Sequence, residues 1–128
     1  MSDHKITNKK SNKMPNSEKA IVPKSKILDY ILSLSHRDGS SKAKFFMLFG
    51  FSIDQWKKLE NALKDHAIKN NVTKIEQTFF GTRYVIEGSI YTPDNRNPKI
   101  LSVWFVKKNT DIPCFVTSYP KKERKNDK

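Results

Sequence analysis

The segment Ser35–Ala43 of this 128-residue chain places His36, Arg37, Asp38, Gly39 and Lys42 in a polar gap between two apolar stretches. Imidazole is the side chain whose ordinary pKa lies near neutrality, so it can take or give a proton. Lysine is a compact point charge suited to a phosphate or a developing anion. Together they point to chemistry on nucleic acid, or binding to it. The plainer alternatives are a solvated loop histidine, an Asx-turn closed by Asp38 and Gly39, and a surface lysine in the first turn of a helix.

Three helical patterns and four strand patterns must position this loop. Pro23 opens a helix whose apolar positions are Ile27, Leu28, Ile31, Leu32 and Leu34. Ser40 or Ser41 caps a second, short helix through Phe45, Phe46 and Phe49, with Gly50 as its stop. Ser52 and Gln55 fit a capping box before a third helix carrying Trp56, Leu59, Leu63 and Ala67. The period then changes to two. Strands are expected over 72–80, 83–91, 100–106 and 112–119, with a tight turn at Gly81-Thr82 and a turn-rich loop at 93–98. This order predicts an α+β fold, three N-terminal helices packed on one face of a four-stranded antiparallel meander sheet. Trp104 falls on the face the helices leave uncovered, either open for a base to stack on or covered by a tail, a partner or the core itself, because a one-residue slip of register would exchange the two faces. His66 is expected on an outer or flanking face of the third helix.

The net charge is +12, of which residues 1–26 carry +5, residues 121–128 carry +3 and the middle +4. On that basis residues 1–21 are read as a disordered basic leader, 22–120 as a single domain, and 121–128 as a disordered basic tail. Such tails bind polyanions or serve solubility. The lone Cys114 lies between apolar neighbours and reads as a small buried residue rather than a nucleophile. One cysteine and three scattered histidines match no metal-ligand spacing, and no cofactor is expected. No window is long and apolar enough to span a membrane, and the basic N-terminus lacks a secretory apolar core. A cytoplasmic site of action is expected, with no membrane partner.

The ordered series His36, Gly39, Lys42-Ala43, Phe45-Phe46, Gly50-Phe51, Trp56, Gly81-Thr82-Arg83-Tyr84, Glu87-Gly88, Thr92-Pro93-Asp94, Val103-Trp104 and Val116 to Pro120 resembles a family of small bacterial domains of unknown function. That family is similar to the C-terminal effector modules of polymorphic toxins. The resemblance covers about residues 22–120. This chain has Arg37 where the family pattern has proline, and Asn95 where it has a turn glycine. The helix-then-sheet order is also similar to the metal-independent ribonuclease fold of barnase, EndoU-like enzymes, colicin nuclease domains and RelE.

The resemblance implies a toxin domain that cleaves RNA without a metal, through attack of the ribose 2′-hydroxyl on the adjacent phosphate. In that reading His36 is the acid or base and Lys42 binds phosphate. Arg83 clamps phosphate from the sheet, unless it is spent on a structural bridge to Glu87. Thr117 holds an oxyanion or orients the histidine. Tyr84, Trp104 and Tyr119 contact bases. A cognate immunity protein or antitoxin is implied as a partner. The alternative is a non-catalytic nucleic-acid-binding or protein-interaction domain.

Overall fold

The computed structural model describes residues 12–122. The expectations for residues 1–11 and 123–128 lie outside the described residues. A helical stretch opens after Pro23 as Lys24–Lys26 and widens into a π-helical turn, Ile27–Ile31, here together α1. Helix α2 spans Ser40–Leu48 and α3 spans Trp56–Lys69. Strands β1 (Asn71–Thr78), β2 (Gly81–Ser89), β3 (Lys99–Lys107) and β4 (Cys114–Pro120) follow in an antiparallel sheet of order β1-β2-β3-β4. The fold is therefore α+β, as the change of period predicts.

The main core joins Ile27, Ile31, Leu32, Phe46, Leu59 and Leu63 of the helical region to Ile86, Ile100, Trp104 and Phe115 of the sheet. Leu34, expected on the apolar stripe of the first helix, is exposed instead. Val85 and Val103 are also buried but stand outside that cluster, on the other parity of their strands. Trp104 is fully buried against Phe115, and its indole N–H donates to Ser102 Oγ at 2.8 Å. The expectation of an open tryptophan face is thus overturned. Both parities of β3 are apolar, so alternation alone could not choose the face.

His66 is likewise corrected. Its ring is fully buried, between Ser102 Oγ at 2.9 Å and the Gly88 carbonyl at 3.0 Å. The β1–β2 turn is Phe79-Phe80 rather than Gly81-Thr82. Thr78 Oγ1 closes it by accepting the N–H groups of Phe80 and Gly81.

The domain also begins earlier than residue 22. Met14, Ala20 and Val22 are core residues, and Ile21 makes a parallel bridge to Cys114 at the edge of the sheet. Asn12 accepts the Val72 N–H, and Lys13 Nζ donates to the Lys69 carbonyl. Among the described residues no helix is long and apolar enough to cross a membrane.

Candidate functional site

The loop Ser35–Gly39 is linked to the edge strand β4 through Tyr30. Its position follows from the local backbone. The Leu32 N–H donates to the Ile27 carbonyl, five residues back, at 2.8 Å. This wider turn buries Ile27, Ile31 and Leu32 while leaving Tyr30 half-buried beside the sheet. Across from it, β4 carries a bulge. Thr117 pairs with Val103 and Phe115 with Trp104, which leaves Val116 without a partner. The bulge returns Phe115 to the core while Thr117 stays on the other parity, so these two residues do not share a face. The Tyr30 hydroxyl and Thr117 Oγ1 lie 2.8 Å apart, in hydrogen-bond contact.

Three further side chains gather on Tyr30. The His36 ring meets it edge-on, with centroids 4.9 Å apart. Lys42 Nζ, from α2, lies 5.8 Å from its ring centroid, and Lys26 Nζ, from α1, lies 5.4 Å away. Lys26 also donates to the Val116 carbonyl at 3.1 Å, which anchors it on the bulge. Gly39 is required here because a Cβ would collide with the Tyr30 carbonyl oxygen.

His36 Nδ1 accepts two backbone N–H groups, from Asp38 at 2.9 Å and Gly39 at 3.0 Å. An accepting Nδ1 carries no proton, so the neutral ring bears its hydrogen on Nε2. In this arrangement His36 offers an N–H donor. Acting as a base would require it to release both backbone donors and change tautomer. The Arg37 side chain is exposed to solvent.

His36, Lys42 and Thr117 thus each neighbour Tyr30, and Arg83 is placed elsewhere. Arg83 Nη1 lies 3.0 Å from Glu76 Oε1, its cross-strand neighbour on β1. The expected bridge to Glu87 is not made; Glu87 pairs with Lys121 at 2.7 Å. Lys74 first, and then the hydrogen bond from Arg83, hold the Glu76 carboxyl below its ordinary range. Tyr84 packs on the core and lines a separate hollow of about 450 Å³ with Asn12, Lys13, Val72 and Ile75. That hollow is lined by no carboxylate and no imidazole. Tyr119 is exposed on β4, two residues beyond Thr117. Among the described residues no three His, Cys, Asp or Glu side chains gather as a metal site.

Sequence reading missed Tyr30 and Lys26. Tyr30 looked like one more residue of an amphipathic helix, because nothing in the sequence signals a π turn. Lys26 falls just before the first apolar position, and in the sequence it stands out only as part of the charge of residues 1–26.

A family model described as "Domain of unknown function (DUF6883)" matches residues 13–122. No curated protein matches the sequence significantly. Among solved structures, the chain is similar to one from a contact-dependent growth inhibition toxin–immunity protein complex of Klebsiella pneumoniae 342. The TM-score is 0.65 and the identity 18%, covering 80% of this chain and all of that one. At that identity the likeness is one of fold.

Proposed function

We propose that this chain, which belongs to the DUF6883 family of domains of unknown function, is a toxin-like effector domain that cleaves RNA without a metal. The observation that carries the reading is the gathering of His36, Lys42 and Thr117 on Tyr30. The similarity of fold to a chain from a toxin–immunity complex supports the toxin-like part and suggests a cognate immunity protein as partner. RNA in the cytoplasm of a target cell is the substrate proposed.

In the proposed reaction the ribose 2′-hydroxyl loses its proton to solvent and its oxygen attacks the adjacent phosphorus. The bond from phosphorus to the 5′-oxygen breaks, and that oxygen takes up a proton from solvent. The products are a 2′,3′-cyclic phosphate and a 5′-hydroxyl end. The His36 Nε2–H, the Lys42 ammonium and the Thr117 hydroxyl stabilise the negative charge that builds on the phosphoryl oxygens. Arg83 has no part in it, because its guanidinium is held by Glu76. DNA, which lacks the 2′-hydroxyl, is left intact.

Incubation with RNA in EDTA tests this. The wild-type chain is expected to leave 2′,3′-cyclic ends. His36→Ala should slow cleavage by about a hundredfold, the typical cost of one donor at a developing anion. Arg83→Ala should stay within about twofold. If no RNA is cut while the chain binds a partner protein stoichiometrically, the chain is the non-catalytic side of such a pair and the nuclease reading falls.

A further inference from the structure

We propose that Lys26, Tyr30 and Lys42 form a phosphate-binding site, with Lys26 its second cation. The inference rests on the proposed function for its location but makes a claim about binding that stands apart from cleavage. Two ammonium groups, from different helices, are held within 6 Å of one tyrosine ring centroid. Neither has a carboxylate within ion-pair distance among the described residues, although six other such pairs are formed there. Two ammoniums around one ring, with no carboxylate paired to either, leave positive charge there that a bound anion would offset.

The donors around the ring define which anion. The Tyr30–Thr117 hydroxyl pair has one hydrogen more than its mutual bond uses. The His36 Nε2–H has no protein acceptor among the described residues, since its protein bonds are all made at Nδ1. Two cations and two neutral donors match a phosphate, which carries up to two charges and has acceptor oxygens on several sides. A carboxylate would neutralise only one of the two lysines. Lys26 is pinned on one side by the Val116 carbonyl, so its ammonium keeps two hydrogens for the ligand. The wide turn of α1 and the bulge of β4 are what bring these groups to one place.

Titration of the full chain with inorganic phosphate at low salt, followed by amide NMR shifts, tests the site. Shifts should concentrate on residues 26–42 and 116–117. Lys26→Met and Lys42→Met keep the apolar stem and should each weaken binding by about fivefold or more, whereas Lys107→Met should change it by less than about twofold. Tyr30→Phe keeps the ring and should weaken binding about two- to threefold. Acetate should bind at least about tenfold more weakly than phosphate. Shifts spread evenly over the lysines, equal losses in Lys26→Met and Lys107→Met, or equal affinity for acetate would each overturn the site. Phosphate bound here by a chain that cuts no RNA would leave the site standing and remove the nuclease reading. RNA cut equally by the wild type and Lys26→Met, with phosphate affinity unchanged, would do the reverse.

Discussion

Two histidines with the same neutral tautomer take opposite roles, and hydrogen-bond accounting separates them. At His66 the chain of donors is closed. The Trp104 N–H donates to Ser102 Oγ, the Ser102 hydroxyl to His66 Nδ1, and His66 Nε2–H to the Gly88 carbonyl. Every polar atom is used, as burial demands. Burial lowers the His66 pKa from its ordinary 6.5, with the Gly88 bond acting in the opposite sense. Below about pH 6.5 the unfolded chain therefore takes up a proton that the folded one refuses. Stability is full above that pH and declines as pH falls, until the folded histidine also protonates. Thermal melts between pH 7.5 and 5.5 should show this decline, and His66→Gln, which does not titrate, should flatten it. Ser102→Ala leaves the Trp104 N–H and His66 Nδ1 without partners and should cost about 2–3 kcal/mol by chemical denaturation. At His36 the Nε2–H is open instead. If the proposed reaction holds, with the 2′-proton going to solvent, the cleavage rate should rise with pH between about 6 and 9. An alkaline fall in that range would restore a proton-shuttling role to His36.

At the scale of elements, the joints between helices and sheet carry most of the specificity. Gly39 has an ordinary φ of −97°, so backbone freedom is not what it supplies. It supplies space, because a Cβ would strike the Tyr30 carbonyl. Gly39→Ala should cost about 1–3 kcal/mol and move Tyr30, lowering activity beyond the loss of stability. Gly81 combines both needs, with φ +151° and a Cβ that would lie 2.8 Å from the Phe105 ring. Gly81→Ala should destabilise the β1–β2 hairpin by a similar amount, whereas Phe79→Ser at the exposed tip should stay within about 0.5 kcal/mol. The order of helices and strands was legible because the apolar period changes after Asn71. So was the Gly50 stop, where φ is +106°. Asn95 takes φ +65°, a left-handed position that asparagine tolerates. What could not be read was any departure by one residue. The π turn re-aims Tyr30 and the unpaired Val116 exchanges strand parity, and neither leaves a mark in hydrophobic periodicity. Half of the site, His36 and Lys42 with Thr117, was visible by residue type. The residue at its centre was not.

For the whole molecule, the charge is redistributed by the position of the N-terminal boundary. Residues 1–11 carry three lysines and one aspartate, and residues 123–128 carry three basic residues and two acids, which leaves +9 of the +12 on residues 12–122. Lys13 and Lys19, inside the stretch read as a basic leader, and Lys24 and Lys26 just beyond it, lie in the part of the chain whose Met14, Ala20, Val22 and Ile27 fill the core. On the proposed function, the attraction for RNA therefore belongs mostly to residues 12–122, where Lys26 and Lys42 stand around Tyr30. Counterion release turns this into a measurable slope. Each phosphate contact contributes about −0.7 to the dependence of log K on log salt for a single strand. Removing residues 1–11 and 123–128 should reduce the magnitude of that slope by no more than about 2 and keep most of the RNA affinity. The pair Lys26→Met and Lys42→Met in the intact chain should reduce its magnitude by about 1.4, and should also abolish cleavage. A truncated chain that lost nearly all RNA affinity would place recognition in the terminal segments and leave the Tyr30 cluster without a role in holding the strand.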